Sequence, residues 1–121
     1  MNKTVLVVDD SSTIRKLVTV SLELQGFNVV AACDGMEALE KLPNERVDLL
    51  ITDLNMPNMD GFELISTLRK NPDYAELPVI ILSSLSAAST MEHYSTLGTV
   101  AYLQKPFSPE RMRYEISKFL S

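Results

Sequence analysis

Five short runs of apolar, largely β-branched residues recur along this chain, and each is followed by a segment with helical spacing. Nothing else in the sequence restricts the fold as strongly. TVLVV (Thr4 to Val8) has no polar alternation, so both of its faces must be covered. Ser12 is placed to cap a helix with Ile14, Leu17, Val18, Ser21 and Leu22 inward, stopping near Gly26, the usual C-terminal breaker. NVVAA (Asn28 to Ala32) is the second strand. Asp34 with Glu37 reads as a capping box for a short helix that turns Ala38, Leu39 and Leu42 inward and closes at Pro43 and Asn44.

DLLIT (Asp48 to Thr52) is the third strand, with a loop containing Pro57 and Gly61 after it. Asp60 and Glu63 form a second capping box, opening a helix with Phe62, Ile65 and Leu68 inward that breaks before Pro72. PVIIL (Pro78 to Leu82) is the fourth strand. A polar helix rich in small residues follows from about Ser86 to Leu97, ending at Gly98, and VAYLQ (Val100 to Gln104) is the fifth strand. Ser108 as cap and Pro109 at the first helical position start a last helix burying Met112, Ile116, Phe119 and Leu120. Strict alternation of strands and helices requires a parallel sheet with helices on both faces and right-handed crossovers. The expected architecture is a doubly wound α/β domain of five strands and five helices spanning 1–121, with no repeat and no linker.

The balance of the chain excludes several classes of function. With 45% hydrophobic and 22% charged residues it is not intrinsically disordered. Its one cysteine, Cys33, cannot form an internal disulfide and reads as a small buried or half-buried hydrophobe. No apolar run reaches the roughly 18 residues of a membrane span, and the run before Asp9 is too short for a signal peptide. A cytoplasmic protein without membrane insertion is expected. Eleven Lys+Arg stand against 16 Asp+Glu, a net charge of −5. That argues against direct nucleic-acid binding, whose affinity comes from lysine and arginine on phosphates. The lone His93 falls mid-helix among polar residues and makes no metal site, and Met56 and Met59 read as loop packing.

Ligands of an open parallel sheet bind beyond the carboxyl ends of its strands. Asp9 and Asp10 follow the first run, Cys33 and Asp34 the second, and Asp53 and Asn55 the third. Ser83 and Ser84 follow the fourth, and Lys105 and Pro106 the fifth. Three carboxylates brought together cannot all ionise without a counter-charge. A hard divalent cation such as Mg²⁺, with its preference for oxygen ligands, answers that need. One carboxylate can then attack a phosphoryl group to form an acyl phosphate, with the lysine and a hydroxyl holding phosphoryl oxygens.

VLVVDDSS, ITDLNMPNMDG, PVIILSS and GTVAYLQKPF together resemble the receiver domain of two-component response regulators, over essentially the whole chain. The resemblance implies a flavodoxin-like sheet of order 2-1-3-4-5, with Asp53 as phosphoacceptor. It implies Mg²⁺ held by Asp9, Asp10, Asp53 and the backbone carbonyl of Asn55. Ser83 matches the switch hydroxyl, Tyr102 the aromatic switch, and Lys105 the family lysine, joined to Pro106 by an expected cis bond. Ser84 stands where the family most often has alanine, and Leu85 is apolar where many members are polar. Leu85 and Asn55 are thereby expected to set the life of the aspartyl phosphate.

The partners so implied are a sensor histidine kinase or histidine phosphotransfer protein and a downstream target protein. The target would dock on a surface of the Ser86–Leu97 helix, the fifth strand and the last helix, and the protein is expected to be a monomer. No enzymatic activity is expected beyond self-phosphotransfer and autodephosphorylation at Asp53. With no DNA-binding segment after Ser121, a chemotaxis or motility regulator, a phosphorelay intermediate or an excised receiver domain is expected rather than a transcription factor. A haloacid-dehalogenase-like phosphohydrolase would place Asp-x-Asp after the first strand and needs room for a cap. A flavodoxin-type carrier would need a phosphate-binding loop where this chain has Asp9 and Asp10.

Overall fold

A computed structural model describes residues 2–84, 97–98 and 100–120. Strands β1 (Thr4–Val8), β2 (Asn28–Ala32), β3 (Leu49–Asp53), β4 (Val79–Ser83) and β5 (Val100–Gln104) form one parallel sheet of order β2-β1-β3-β4-β5. Helices α1 (Ser12–Leu24), α2 (Gly35–Lys41), followed by a 3₁₀ turn at Leu42–Asn44, and α3 (Gly61–Arg69) connect the first four strands in turn, and α4 (Pro109–Ser117) follows β5. This is the flavodoxin-like doubly wound fold. The role expected of Leu85, His93 and all of the helix expected from Ser86 to Leu97 except its last residue fall on residues 85–96, outside the described residues.

Alternate strand residues serve opposite layers. Leu6, Val8, Leu50 and Ile81 pack with Ala38, Leu42, Leu64, Ile65 and Leu68 under α2 and α3. Val5, Val7, Leu49, Ile51, Ile80 and Leu82 pack with Val18, Leu22, Met112 and Ile116 under α1 and α4. Every residue of the central strands β3 and β4 is buried, as unalternated apolar runs require. Each buried Val, Leu or Ile side chain there contributes about 1.5–3 kcal/mol relative to exposure.

Several boundaries differ from the sequence reading by one residue, each for a local reason. Ser11, not Ser12, caps α1: its hydroxyl accepts from Ile14 N–H. β3 begins at Leu49 because the Asp48 carboxylate turns back to accept Thr4 N–H at 2.9 Å. It runs on to Asp53, which pairs with Leu82. β4 begins after Pro78, whose nitrogen has no hydrogen to give, and ends at Ser83, paired with Gln104. Asp53 and Ser83 are therefore strand ends, held by the ladder, and not the first residues of loops.

Leu17 is 61% exposed instead of inward, lining a cleft of about 160 Å³ with Phe107, Pro109 and Met112. Phe62, Leu39, Phe119 and Leu120 are only half-buried, while Leu64 lies wholly within the core. Met56 and Met59 pack against the α2/α3 layer. Cys33 is exposed. Hydrogen bonding to Glu37 pushes its thiol above the ordinary range, which makes it a poor nucleophile.

Candidate functional site

The carboxyl ends of β1, β3 and β5 meet at one edge of the sheet. Asp9, Asp10 and Asp53 each bring a carboxylate oxygen within 4.8 Å of the others. Asp9 is fully buried, Asp53 is 9% exposed, and Asp10 faces solvent. Lys105 reaches in from the end of β5, its Nζ 3.2 Å from Asp9 Oδ2 and 3.4 Å from Asp53 Oδ2. One ammonium thus serves two carboxylates, and the third has no cation beside it among the described residues. Burial pushes the Asp53 carboxyl above its usual range, and the Asp9 charge adds to the effect. Lys105 and the Leu54 N–H pull it partly back.

Backbone groups fix this geometry. Asp9 Oδ1 accepts Ser11 N–H at 2.9 Å, so the residue that caps α1 also orients the carboxylate. The Asp9 carbonyl accepts from the Arg15 guanidinium at 2.6 Å. Asp53 Oδ1 accepts Leu54 N–H at 2.8 Å. Lys105 is anchored by its own N–H, which donates to the Ser83 carbonyl at 2.7 Å, and the bond to Pro106 is cis as expected.

The loop after β3 closes with Gly61 N–H on the Leu54 carbonyl at 2.9 Å. A Cβ at Gly61 would lie 2.5 Å from the Asp53 carbonyl oxygen, a contact only glycine avoids. Asn55 is exposed in this loop, two residues past Asp53.

Ser83 is buried at the end of β4. Tyr102, on β5 opposite Ile81, is half-buried against the α2/α3 layer. Its hydroxyl is buried without a hydrogen-bond partner among the described residues, and a buried polar group left so is costly and uncommon.

The fold therefore brings Asp9, Asp10, Asp53 and Lys105 together as the strand-end rule required, with Ser83 and Tyr102 on the neighbouring strands. Sequence reasoning missed Arg15, the Leu54 N–H and a link from Asp34 to Asn58 across the two loops. Of these, only Asn58 carried a signal: it lies in a Pro-Asn-Met-Asp-Gly turn and adopts a φ of 68°, a left-handed conformation that asparagine tolerates.

Three hard oxygen donors, one of them open to solvent, are a donor set suited to Mg²⁺ and ill suited to a softer metal. Among the described residues no helix is long and apolar enough to cross a membrane.

Residues 5–117 match the family model described as the response regulator receiver domain. The chain is 35% identical over 120 residues to the alkaline phosphatase synthesis transcriptional regulatory protein PhoP of Bacillus subtilis, covering 99% of this chain and 49% of that protein. It is 37% identical over 126 residues to the chemotaxis protein CheV3 of Helicobacter pylori, covering 96% of this chain and 40% of the other. The chain thus spans half or less of the length of these relatives. The chemotaxis protein CheY4 of Vibrio cholerae superposes with a TM-score of 0.93 at 34% identity, covering 98% of this chain and 99% of that one.

Proposed function

Because the chain belongs to the response regulator receiver domain family, we propose that it is a phospho-accepting signalling module whose Asp53 takes a phosphoryl group from a histidine kinase or histidine phosphotransfer protein. The observation that carries this reading is the placement of Lys105 Nζ between the carboxylates of Asp9 and Asp53, with Asp10 beside them. Asp9, Asp10, Asp53 and the Asn55 carbonyl would hold a divalent cation such as Mg²⁺, which would supply the positive charge that lets the carboxylates ionise together and a phosphoryl group approach.

The chain's own residues do the rest. Asp53 must be ionised to act as nucleophile, and Lys105 favours that state against burial and the Asp9 charge. An oxygen of its carboxylate forms a bond to phosphorus as the donor's nitrogen–phosphorus bond breaks and the bonding pair stays with the donor. Lys105 then holds a phosphoryl oxygen through a charge-assisted contact.

The Ser83 hydroxyl is drawn to another phosphoryl oxygen, and the Tyr102 ring turns inward behind it. Differential contacts of this kind are what shift a two-state equilibrium. The surface around β5 and α4 changes with them and binds a downstream protein, in a chemotaxis or motility pathway. The module acts as a monomer in the cytoplasm, with no substrate other than its own Asp53. A second reading, a receiver portion working within a longer regulator, is favoured by the half-length coverage of PhoP.

Intact mass after incubation with acetyl phosphate and Mg²⁺ tests the assignment. The native protein is expected to gain one phosphoryl mass, roughly 80 Da, and Asp53→Asn none. Equal gain in the variant, or no dependence on Mg²⁺ in the native protein, rejects it.

A further inference from the structure

The loop that follows Asp53 is fastened to a part of the chain the chemistry does not use. Asp34 lies at the end of β2 and is buried. Both of its carboxylate oxygens are engaged: Oδ1 accepts Glu37 N–H at 2.8 Å as the cap of α2, and Oδ2 accepts Nδ2 of Asn58 at 2.8 Å. Those two bonds, the cap first, hold the Asp34 carboxyl below its usual range. Asn58 adopts a φ of 68°, so its amide is directed to Asp34 from a conformation most residues avoid.

One residue on, Met59 seals the same junction. A Cβ on Gly35 would lie 2.8 Å from Met59 Cγ and 2.9 Å from Met59 Cβ, so glycine there lets the loop lie against the start of α2. The loop is therefore closed at its base by Gly61 N–H on the Leu54 carbonyl and clamped at its tip by Asp34 and Asn58. Asn55 lies between these two fixings.

We propose that Asp34 and Asn58 are positioning residues for divalent-cation binding, holding the 54–60 loop so that the Asn55 carbonyl presents itself to the ion alongside Asp9, Asp10 and Asp53. The inference rests on the metal reading of the site given above. Neither residue needs to touch the ion. The link acts as the outer partners of a metal ligand do, by restricting the ligand's freedom before binding. Asp34 could instead act only through its negative charge, or only as a cap of α2, and suitable variants separate these roles.

The experiment is a Mg²⁺ titration of the full chain followed by backbone amide shifts, with the thermal midpoint of each metal-free protein measured alongside. Asn58→Gly removes the amide and keeps the left-handed backbone. Its Mg²⁺ affinity is expected to fall about three- to tenfold, with a metal-free Tm within ~3 °C of native. Asn58→Asp sets two carboxylates against each other. Its affinity is expected to fall similarly, although the added negative charge alone would raise it.

Asp34→Asn retains a cap acceptor and, with the Asn58 amide turned over, a hydrogen bond across the junction. It is expected to stay within about twofold of native, the size of a weak long-range charge effect. Unchanged affinity in Asn58→Gly, or tighter binding in Asn58→Asp, overturns the proposal. So does a loss of Tm that parallels the loss of affinity in both Asn58 variants, since the link would then be merely structural. Absence of Mg²⁺-dependent shifts at Asp9, Asp10 and Asp53 in the native protein overturns the metal reading itself.

Discussion

On the β1/β3 side of the site the polar groups are held in detail: Asp9 by Ser11 N–H and Lys105, Asp53 by Leu54 N–H and Lys105, and the loop tip by Asp34. On the β5 side the Tyr102 hydroxyl is buried with no partner among the described residues. The first arrangement resists movement, because each displacement breaks a directional bond. The second loses little when the ring moves, because no described residue holds the hydroxyl by a hydrogen bond. A module that must bind phosphate accurately and also report it needs both kinds of construction. On the proposed phospho-accepting reading, the held groups would serve the chemistry and the movable ring the signalling.

Removing the lysine tests the held side most severely. Lys105→Met leaves Asp9 and Asp53 facing each other without their shared ammonium. Phosphorylation by acetyl phosphate is expected to slow by about 100-fold, the usual scale for one charged contact to a reacting phosphoryl group. Mg²⁺ affinity should rise at the same time, because a competing cation has gone. A rate within a few-fold of native, measured by intact mass over time, would remove Lys105 from the chemistry.

Asp10→Asn is expected to weaken Mg²⁺ binding by about tenfold or more while leaving the metal-free fold as stable as before or more so. The pH dependence follows the same electrostatics. The Asp53 carboxyl is raised in the fold, by burial first and by Asp9 second. Between the ordinary aspartate value, about 3.9, and the raised value, the folded state holds more proton than the unfolded one. The Asp53 contribution to metal-free stability therefore falls as pH rises through that window and is flat above it. Asp53→Asn should abolish this component in urea melts run across the acid range, and Mg²⁺ should offset it near neutrality.

Between the two sides in size of effect is Arg69. Its guanidinium donates to the carbonyls of Leu97, Tyr74 and Leu77, tying the end of α3 to the chain just before β5. Arg69→Met is expected to cost about 1–3 kcal/mol in urea unfolding, since the carbonyls of the buried Leu77 and Leu97 lose their donor. No change at all would mean that the tie is dispensable. The smallest effect is expected at Tyr102. Tyr102→Phe removes a buried hydroxyl that has no partner among the described residues, so metal-free stability should stay level or rise by a few tenths of a kcal/mol. A loss beyond about 1 kcal/mol would show a hydrogen bond at that oxygen and weaken the contrast.

The fold was legible because its information is local. Unbroken apolar runs, Ser108 with Pro109, and the aspartates placed three residues before Glu37 and Glu63 each mark an element within a few positions. Asp9, Asp10, Asp53 and Lys105 were legible because strand ends of a parallel sheet converge whatever the loops do. The link between Asp34 and Asn58 spans 24 residues, and its existence depends on the path of a loop, which residue type alone does not determine. Leu17 was misplaced because periodicity identifies an apolar stripe but not its width: the stripe of α1 continues through Leu17, Val20 and Leu24, all exposed, past the edge of the core. The capping boxes were also only half right. Asp34 and Asp60 accept as expected, but Glu37 reaches one residue further back, to Cys33 N–H.

The most direct test of the contrast is a crystal structure of the chain loaded with Mg²⁺ and beryllium fluoride, set beside the metal-free crystal. The Asp34–Asn58 bond should remain within hydrogen-bond distance and the 54–60 loop in place, while the Tyr102 ring changes position and its hydroxyl gains a partner. A structure in which the loop moves, the Asp34–Asn58 bond breaks and Tyr102 stays where it is would contradict the division between a held side and a moving one.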